Sequence, residues 1–245
     1  MSQNKESTND DFFAKVQEEY RKIYQEFYSP FFAKKGDCEK FVDLAFNYDD
    51  GNSKVRFMIQ QLERFVSLAN DIDKIRPARD PLRIFFLKIC LESLYSIEYN
   101  SDKDKKKKVF YGELEKCFSH EAEKYILDNF KYMGIDMPKV KDLKGLRKYN
   151  EYERQQMTIG SFLRLMKSVR DMVAHEGNYW SMEFFNDRED CPICTDFRTK
   201  DDIFEIGKKE ELTYNFEANL NYQKFIFYFV EACINYIIKK GQLSF

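Results

Sequence analysis

The chain has 245 residues, 43% of them hydrophobic and 17% aromatic, enough apolar material for a sizeable core and too much for wholesale disorder. Only nine glycines and five prolines punctuate it, which excludes an all-β chain with many tight turns and predicts helices. Forty Lys/Arg against 42 Asp/Glu leave a net charge of −2, so bulk charge exerts no strong pull on nucleic acid.

Residues 1–9 are polar and read as a flexible tail. Asp10 and Asp11 open an amphipathic helix with Phe12, Val16, Tyr20, Ile23, Tyr24 and Phe27 on one side, and Ser29-Pro30 stops it. A short helix with Phe41, Leu44, Ala45 and Tyr48 ends at Asp49-Asp50-Gly51. Residues 10–50 thus form an N-terminal helical segment ahead of the main helical domain, 51–245. Ser53 caps a helix whose stripe is Val55, Met58, Ile59, Leu62, Phe65, Val66, Ala69 and Ile72. Asp80-Pro81 is an N-cap followed by a first-turn proline. The segment behind it, LRIFFLKICLESLYSIEY, is apolar over much of its circumference and predicts a central helix with Lys88 and Glu92 paired at i,i+4.

The run SDKDKKKK, 101–108, reads as a charged loop, and a helix follows from about Tyr111 to Tyr132 with a break near Ser119. GIDMPKVKDLKG reads as a loop. A helix from about Gln155 to His175 carries Ile159, Phe162, Leu163, Met166, Val169 and Val173 on one stripe, with Gly177 where a terminating glycine belongs. Residues 181–213 form an acidic, irregular insertion in which DIFEI and ELTYNF are short-strand candidates. From Met137 to Arg170 nine Lys/Arg face three Asp/Glu, and from Ser181 to Glu217 five face eleven, so a local field of +6 and one of −6 hide in the total. The last helix, about Phe216 to Lys240, contains FIFYFVEACINYII, which at about 14 residues fits a buried or subunit-facing helix rather than a membrane span. The expected fold class is all-α: a helical bundle with a small irregular or β-hairpin insertion before the C-terminal helix.

The polar start, MSQNKESTNDDFF, predicts a cytoplasmic chain with reduced thiols. Cys38, Cys90, Cys117 and Cys233 sit singly on apolar stretches and read as small buried hydrophobes. Cys191 and Cys194, in CPIC, supply half of a four-ligand zinc site, which only a pair from a second subunit would complete, so no metal or cofactor is expected. The chain has no G-x-x-x-x-G-K-[ST], no G-x-G-x-x-G and no G-x-S-x-G, which removes P-loop, dinucleotide and hydrolase-elbow chemistry.

Two histidines remain. His120 follows the expected cap at Ser119 and reads as an exposed residue of a helix start. His175 ends the helix that carries Arg170. Arg170 lies four after Met166 and seven after Leu163, bordering the apolar stripe, where a guanidinium needs a carboxylate, a phosphate or a second subunit. His175 shares another face with Arg164, Ser168 and Asp171, and Asp171, at i,i+4, is placed to orient the imidazole. Residues five apart on an ideal helix diverge by about 140°, so Arg170 and His175 converge only if the helix distorts near its end or a second copy supplies half of the site.

The segment R-D-M-V-A-H-E-G, residues 170–177, resembles the motif of the HEPN superfamily: Arg, four to six residues, then His, with Asp next to the Arg, Ala before the His and a nearby Gly. Here Glu176 intervenes before Gly177. The resemblance implies a helical domain over about 53–240, a homodimer whose two motifs form one composite site, and metal-independent endoribonuclease activity in a toxin or antiviral defence setting. It implies catalytic roles for Arg170, Asp171 and His175, with RNA as substrate and an antitoxin or defence-system protein as partner. Arg164, Lys167, Lys144, Arg147 and Lys148 supply phosphate contacts in that reading, and the Lys105–Lys108 run is a further basic element. Two other classes fit the same residues: a non-catalytic helical module for a nucleotide, RNA or protein partner, and a structural dimerisation protein.

Overall fold

The computed structural model describes residues 6–48, 53–77, 79–99, 104–136, 158–177, 184, 194–199 and 212–244. The chain is an all-α helical bundle. Helix α1 spans Glu6–Tyr28, α2 Lys35–Ala45, α3 Ser53–Ile75, α4 Asp80–Tyr99, α5 Asp104–Glu115 and α6 His120–Asp128. After strand β1 (Phe130–Asp136) come α7 (Ile159–Asp171), a wide turn over Met172–Glu176, β2 (Cys194–Thr199), β3 (Leu212–Ala218) and α8 (Tyr222–Gly241).

Helices α3 and α4 pack along one another, α8 lies against α3 and α5, and α7 lies against α4, α5 and α6. The stripe on α3 turns inward at Val55, Met58, Ile59, Leu62, Val66, Ala69 and Ile72. Helix α4 is buried nearly all round, including Ile84, Leu87, Cys90, Leu91 and Leu94. Each Val, Leu, Ile or Met among them contributes roughly 1.5–3 kcal/mol when fully buried. Cys38, Cys90, Cys117 and Cys233 are buried free thiols, as their apolar surroundings in sequence suggest.

Helix α8 is likewise buried along most of its length. Asn221 caps it by accepting from the Lys224 amide (3.1 Å), and Gln242, in the left-handed region at φ 52°, ends it. Two polar residues interrupt its apolar run, and both are satisfied at the junction of α5 and α6. The Ser119 hydroxyl donates to Glu231 Oε2 (3.0 Å), and the Asn235 amide donates to the Cys117 carbonyl (3.1 Å). Ser119 also caps α6 by accepting from the Ala122 amide, so the break expected near Ser119 is a true helix start. Tyr228 donates to Glu121 (2.9 Å) and Tyr222 to Asn70 (2.7 Å), tying α8 to α6 and α3. Among the described residues no helix is long and apolar enough to cross a membrane.

A small antiparallel sheet stands beside the bundle in the order β1-β3-β2. Strand β3 pairs Ala218 with Phe130 and Thr213 with Asp136, with an irregularity between Tyr132 and Gly134, and pairs Leu212 with Thr199 on its other edge. The backbone bond from Asn219 N–H to the Asn129 carbonyl (2.8 Å) closes its base.

Several boundaries differ from those the sequence predicts. Helix α1 starts at Glu6, so residues 6–9 are helical rather than tail, and Asp10 and Asp11 lie inside the helix. Helix α5 starts at Asp104, so the Lys105–Lys108 run is helical and not a loop. The helix expected to reach Tyr132 stops at Asp128, and Phe216–Ala218 belong to β3 rather than to the last helix. DIFEI, 202–206, and most of the 181–213 insertion lie outside the described residues.

Candidate active site

Helix α7 carries the motif, and its apolar stripe fixes it to the bundle. Ile159, Phe162, Leu163, Met166, Val169 and Val173 are all buried, and the Phe162 ring meets Phe225 of α8 edge-on at 5.4 Å. At its start the Glu115 carboxylate, at the end of α5, accepts the Gly160 amide (3.1 Å), placing a negative charge at a helix N-terminus. Downstream, the Phe184 amide donates to the buried Asp80 carboxylate (2.7 Å), whose other oxygen pairs with Arg83 (2.8 Å). Asp80, the first residue of α4 and not the cap before it, therefore anchors the chain beyond the motif.

The end of α7 does not continue as an α-helix. Over Met172–Glu176 the chain widens into a π turn: the Gly177 amide bonds back to the Met172 carbonyl, five residues away, with Gly177 in the left-handed region at φ 62°. This is the terminating glycine expected from sequence, but it closes a wider turn. A π turn has a wider repeat than an α-helix, so the divergence of about 140° that an ideal helix imposes on residues five apart does not carry through this end of α7. Arg170 is half-buried and His175 exposed.

Around Arg170 the structure gathers charged groups from two helices, α4 and α7. Nη2 pairs with Glu92 of α4, and Nη1 with Asp171 Oδ1 at 2.7 Å. The other Asp171 oxygen takes the Lys167 ammonium at 3.1 Å. Arg170 Nε is buried with no hydrogen-bond partner among the described residues. The Asp171 carboxylate thus holds Arg170 and Lys167, and among the described residues no bond joins it to the His175 imidazole it was expected to orient. The expected Lys88–Glu92 pair is also replaced. Glu92 takes Arg170, and the Lys88 ammonium donates to the Tyr111 hydroxyl while lying 4.2 Å from the centre of that ring.

Lys88, which spacing offered only as the i,i+4 partner of Glu92, is a buried member of this cluster. Its side chain is 1% exposed, and desolvation, the largest effect, brings the ammonium down to about 7. Arg170 and Lys167 push the same way, while Glu92 and Asp171 oppose. Burial raises the Tyr111 hydroxyl well above its ordinary value, so it stays protonated beside the amine. The signal in the sequence is a lone lysine in the middle of the apolar run LRIFFLKICL.

Of the other candidate residues, His120 is exposed as the first residue of α6. Arg164 and Lys167 lie on α7, with Lys167 exposed. Lys144, Arg147, Lys148 and Cys191 lie outside the described residues, and Cys194 opens β2. Among the described residues no three His, Cys, Asp or Glu side chains gather as metal ligands. The arrangement thus offers an exposed imidazole on a distorted helix end and a guanidinium held by two carboxylates one turn before it. No protein-family model, no curated protein and no solved structure matches the chain.

Proposed function

We propose that the chain is a metal-independent endoribonuclease that uses Arg170 and His175, with the site completed by the same helix end of a second copy. The observation that supports this is the π turn between the two residues. On an ideal helix the pair diverges, so convergence requires a distortion near the helix end, and the turn over Met172–Glu176 is one.

In this reading the RNA supplies its own nucleophile. The 2′-hydroxyl attacks the adjacent phosphorus, its proton passes to a base, the bond from phosphorus to the 5′-oxygen breaks, and that oxygen takes a proton. A histidine suits both transfers because its type exchanges protons near neutral pH. A guanidinium offers a planar, permanent charge to the crowded phosphorane. The products are a 2′,3′-cyclic phosphate and a 5′-hydroxyl. The proposal extends to a cytoplasmic homodimer in a toxin or defence system, regulated by an antitoxin or other defence protein.

The test is incubation of labelled single-stranded RNA with the protein in EDTA, beside Arg170→Ala and His175→Ala, with end-group analysis. Cyclic-phosphate ends from the unmodified chain alone, with both variants folded, are expected. Cleavage that survives His175→Ala rejects the mechanism. A second reading, a non-catalytic RNA-binding module, is favoured by the occupancy of the Arg170 guanidinium by Glu92 and Asp171. Salt-dependent RNA binding with intact RNA in every lane is its expected result.

A further inference from the structure

A buried ammonium ordinarily sits against a carboxylate, because an unpaired charge away from water is costly. Among the described residues, the Lys88 ammonium has its hydrogen bond with a neutral phenol, Tyr111. The carboxylate one turn along its own helix, Glu92, is engaged by Arg170 from α7. Two cations and one shared carboxylate thus meet where α4, α5 and α7 join, and the carboxylate is with the cation nearer the surface.

We propose that Lys88 is a positioning residue for Arg170: the two cations compete for Glu92, so the charge on Lys88 sets how tightly Glu92 holds the guanidinium. The inference rests on the reading of Arg170 as the phosphate-binding group. Lys88 itself is sealed from solvent and touches no substrate; it acts through Glu92.

The groups that face Lys88 are Glu92 on its own helix, Tyr111 from α5, and Lys167, Arg170 and Asp171 from α7. Below about 7 the ammonium is charged and draws on Glu92, which loosens the hold on Arg170 and leaves the guanidinium to an anion. Above that value the amine is neutral, Tyr111 retains it, and Glu92 stays with Arg170. The two states differ by one proton and one reassigned carboxylate.

The test follows the Arg170 Nε–H resonance of the full chain by NMR between about pH 5.5 and about pH 8.5, in a His175→Gln background so that the imidazole adds no step. With Lys88 in place the resonance is expected to move in one step centred at about 7, and in Lys88→Met to stay flat. The affinity for a 2′-O-methyl RNA, which lacks the attacking hydroxyl and stays uncut, is expected to fall roughly fivefold across the step, and Lys88→Met is expected to remove that fall. Glu92→Gln serves as the second variant: with no carboxylate to contest, it flattens the resonance and keeps the affinity at its low-pH level. A step of equal size in the parent and in Lys88→Met, or no step in the parent, overturns the proposal. If the step depends on Lys88 while unmodified chain leaves cleavable RNA intact at every pH, the nuclease reading falls and the role of Lys88 stands. Cleavage without the step removes the role of Lys88 and leaves the nuclease reading in place.

Discussion

Lys88 loses almost all of its hydration on folding, and its value drops from 10.5 to about 7. A lysine held below its unfolded value makes the unfolded chain the better proton binder between those two limits. Stability therefore rises with pH from about 7 towards 10.5, and the full penalty is present below about 7. Lys88→Met, which keeps the volume and drops the charge, is expected to stabilise the protein by on the order of 3–5 kcal/mol more near pH 6 than near pH 10. Urea titrations of both proteins at the two pH values check this; equal differences at both would contradict a charge buried at Lys88. Gly177 makes a different demand. At φ 62° a Cβ is strained by roughly 1–2 kcal/mol, so Gly177→Ala is expected to lower Tm by a few degrees, and Gly177→Asn by less. Calorimetry on the three proteins decides it. The motif residues Arg170, Asp171 and His175 are legible in sequence because they lie within six positions of each other. The rest of the cluster is not, since Tyr111 lies 23 positions from Lys88 and Glu92 lies 78 from Arg170, and only tertiary packing joins them.

Among the elements, α3 and α7 are legible because their apolar spacing follows 3.6 residues per turn and one face of each is buried. Helix α4 is legible as buried because a segment apolar over much of its circumference has nowhere else to go. The start of α5 is not: four successive lysines at a helix N-terminus oppose the helix dipole, so local chemistry argues for a loop. The short strand β1 is hidden at the end of an apparent helical stretch, because its pairing comes from β3, more than 75 residues on. Helix α1 shows the limit of reading burial from periodicity. Phe12 is 62% exposed although it opens the apolar side, its neighbour Phe13 is 63% exposed, and Phe41 of α2 is fully buried. Phe13→Ser is thus expected to change stability by no more than about 0.5 kcal/mol, and Phe41→Ala to cost about 3–5 kcal/mol, read by chemical denaturation. The π turn makes a prediction of its own. Deleting Ala174 takes one residue from the wide turn and rotates the chain beyond it by about 100°, so helical content should persist and, under the proposed nuclease function, RNA cleavage should be lost. Ala174→Ser, which keeps the residue count, should leave cleavage in place.

At the scale of the whole molecule, the bundle is assembled from partners far apart in the chain. The hydrogen bonds that fix α8 run to Asn70, Cys117, Ser119 and Glu121, across 107 to 152 positions. A chain stopped after Leu220 is expected to lose its cooperative thermal transition and to bind a hydrophobic dye, while keeping much of its helical signal. Retention of a sharp transition would show that α3 to α7 close a core by themselves. The position of α8 also bears on how the protein is made. Its partners α3, α5 and α6 leave the ribosome more than 90 residues ahead of it, with the apolar surfaces that will hold Phe225, Phe229 and Tyr236 still bare. Chains of high contact order fold late, and transiently exposed apolar surface of this kind aggregates or engages chaperones. Synthesis thus passes through an obligatory sticky interval, and the yield of folded protein depends on how quickly one helix, Tyr222–Gly241, arrives to end it.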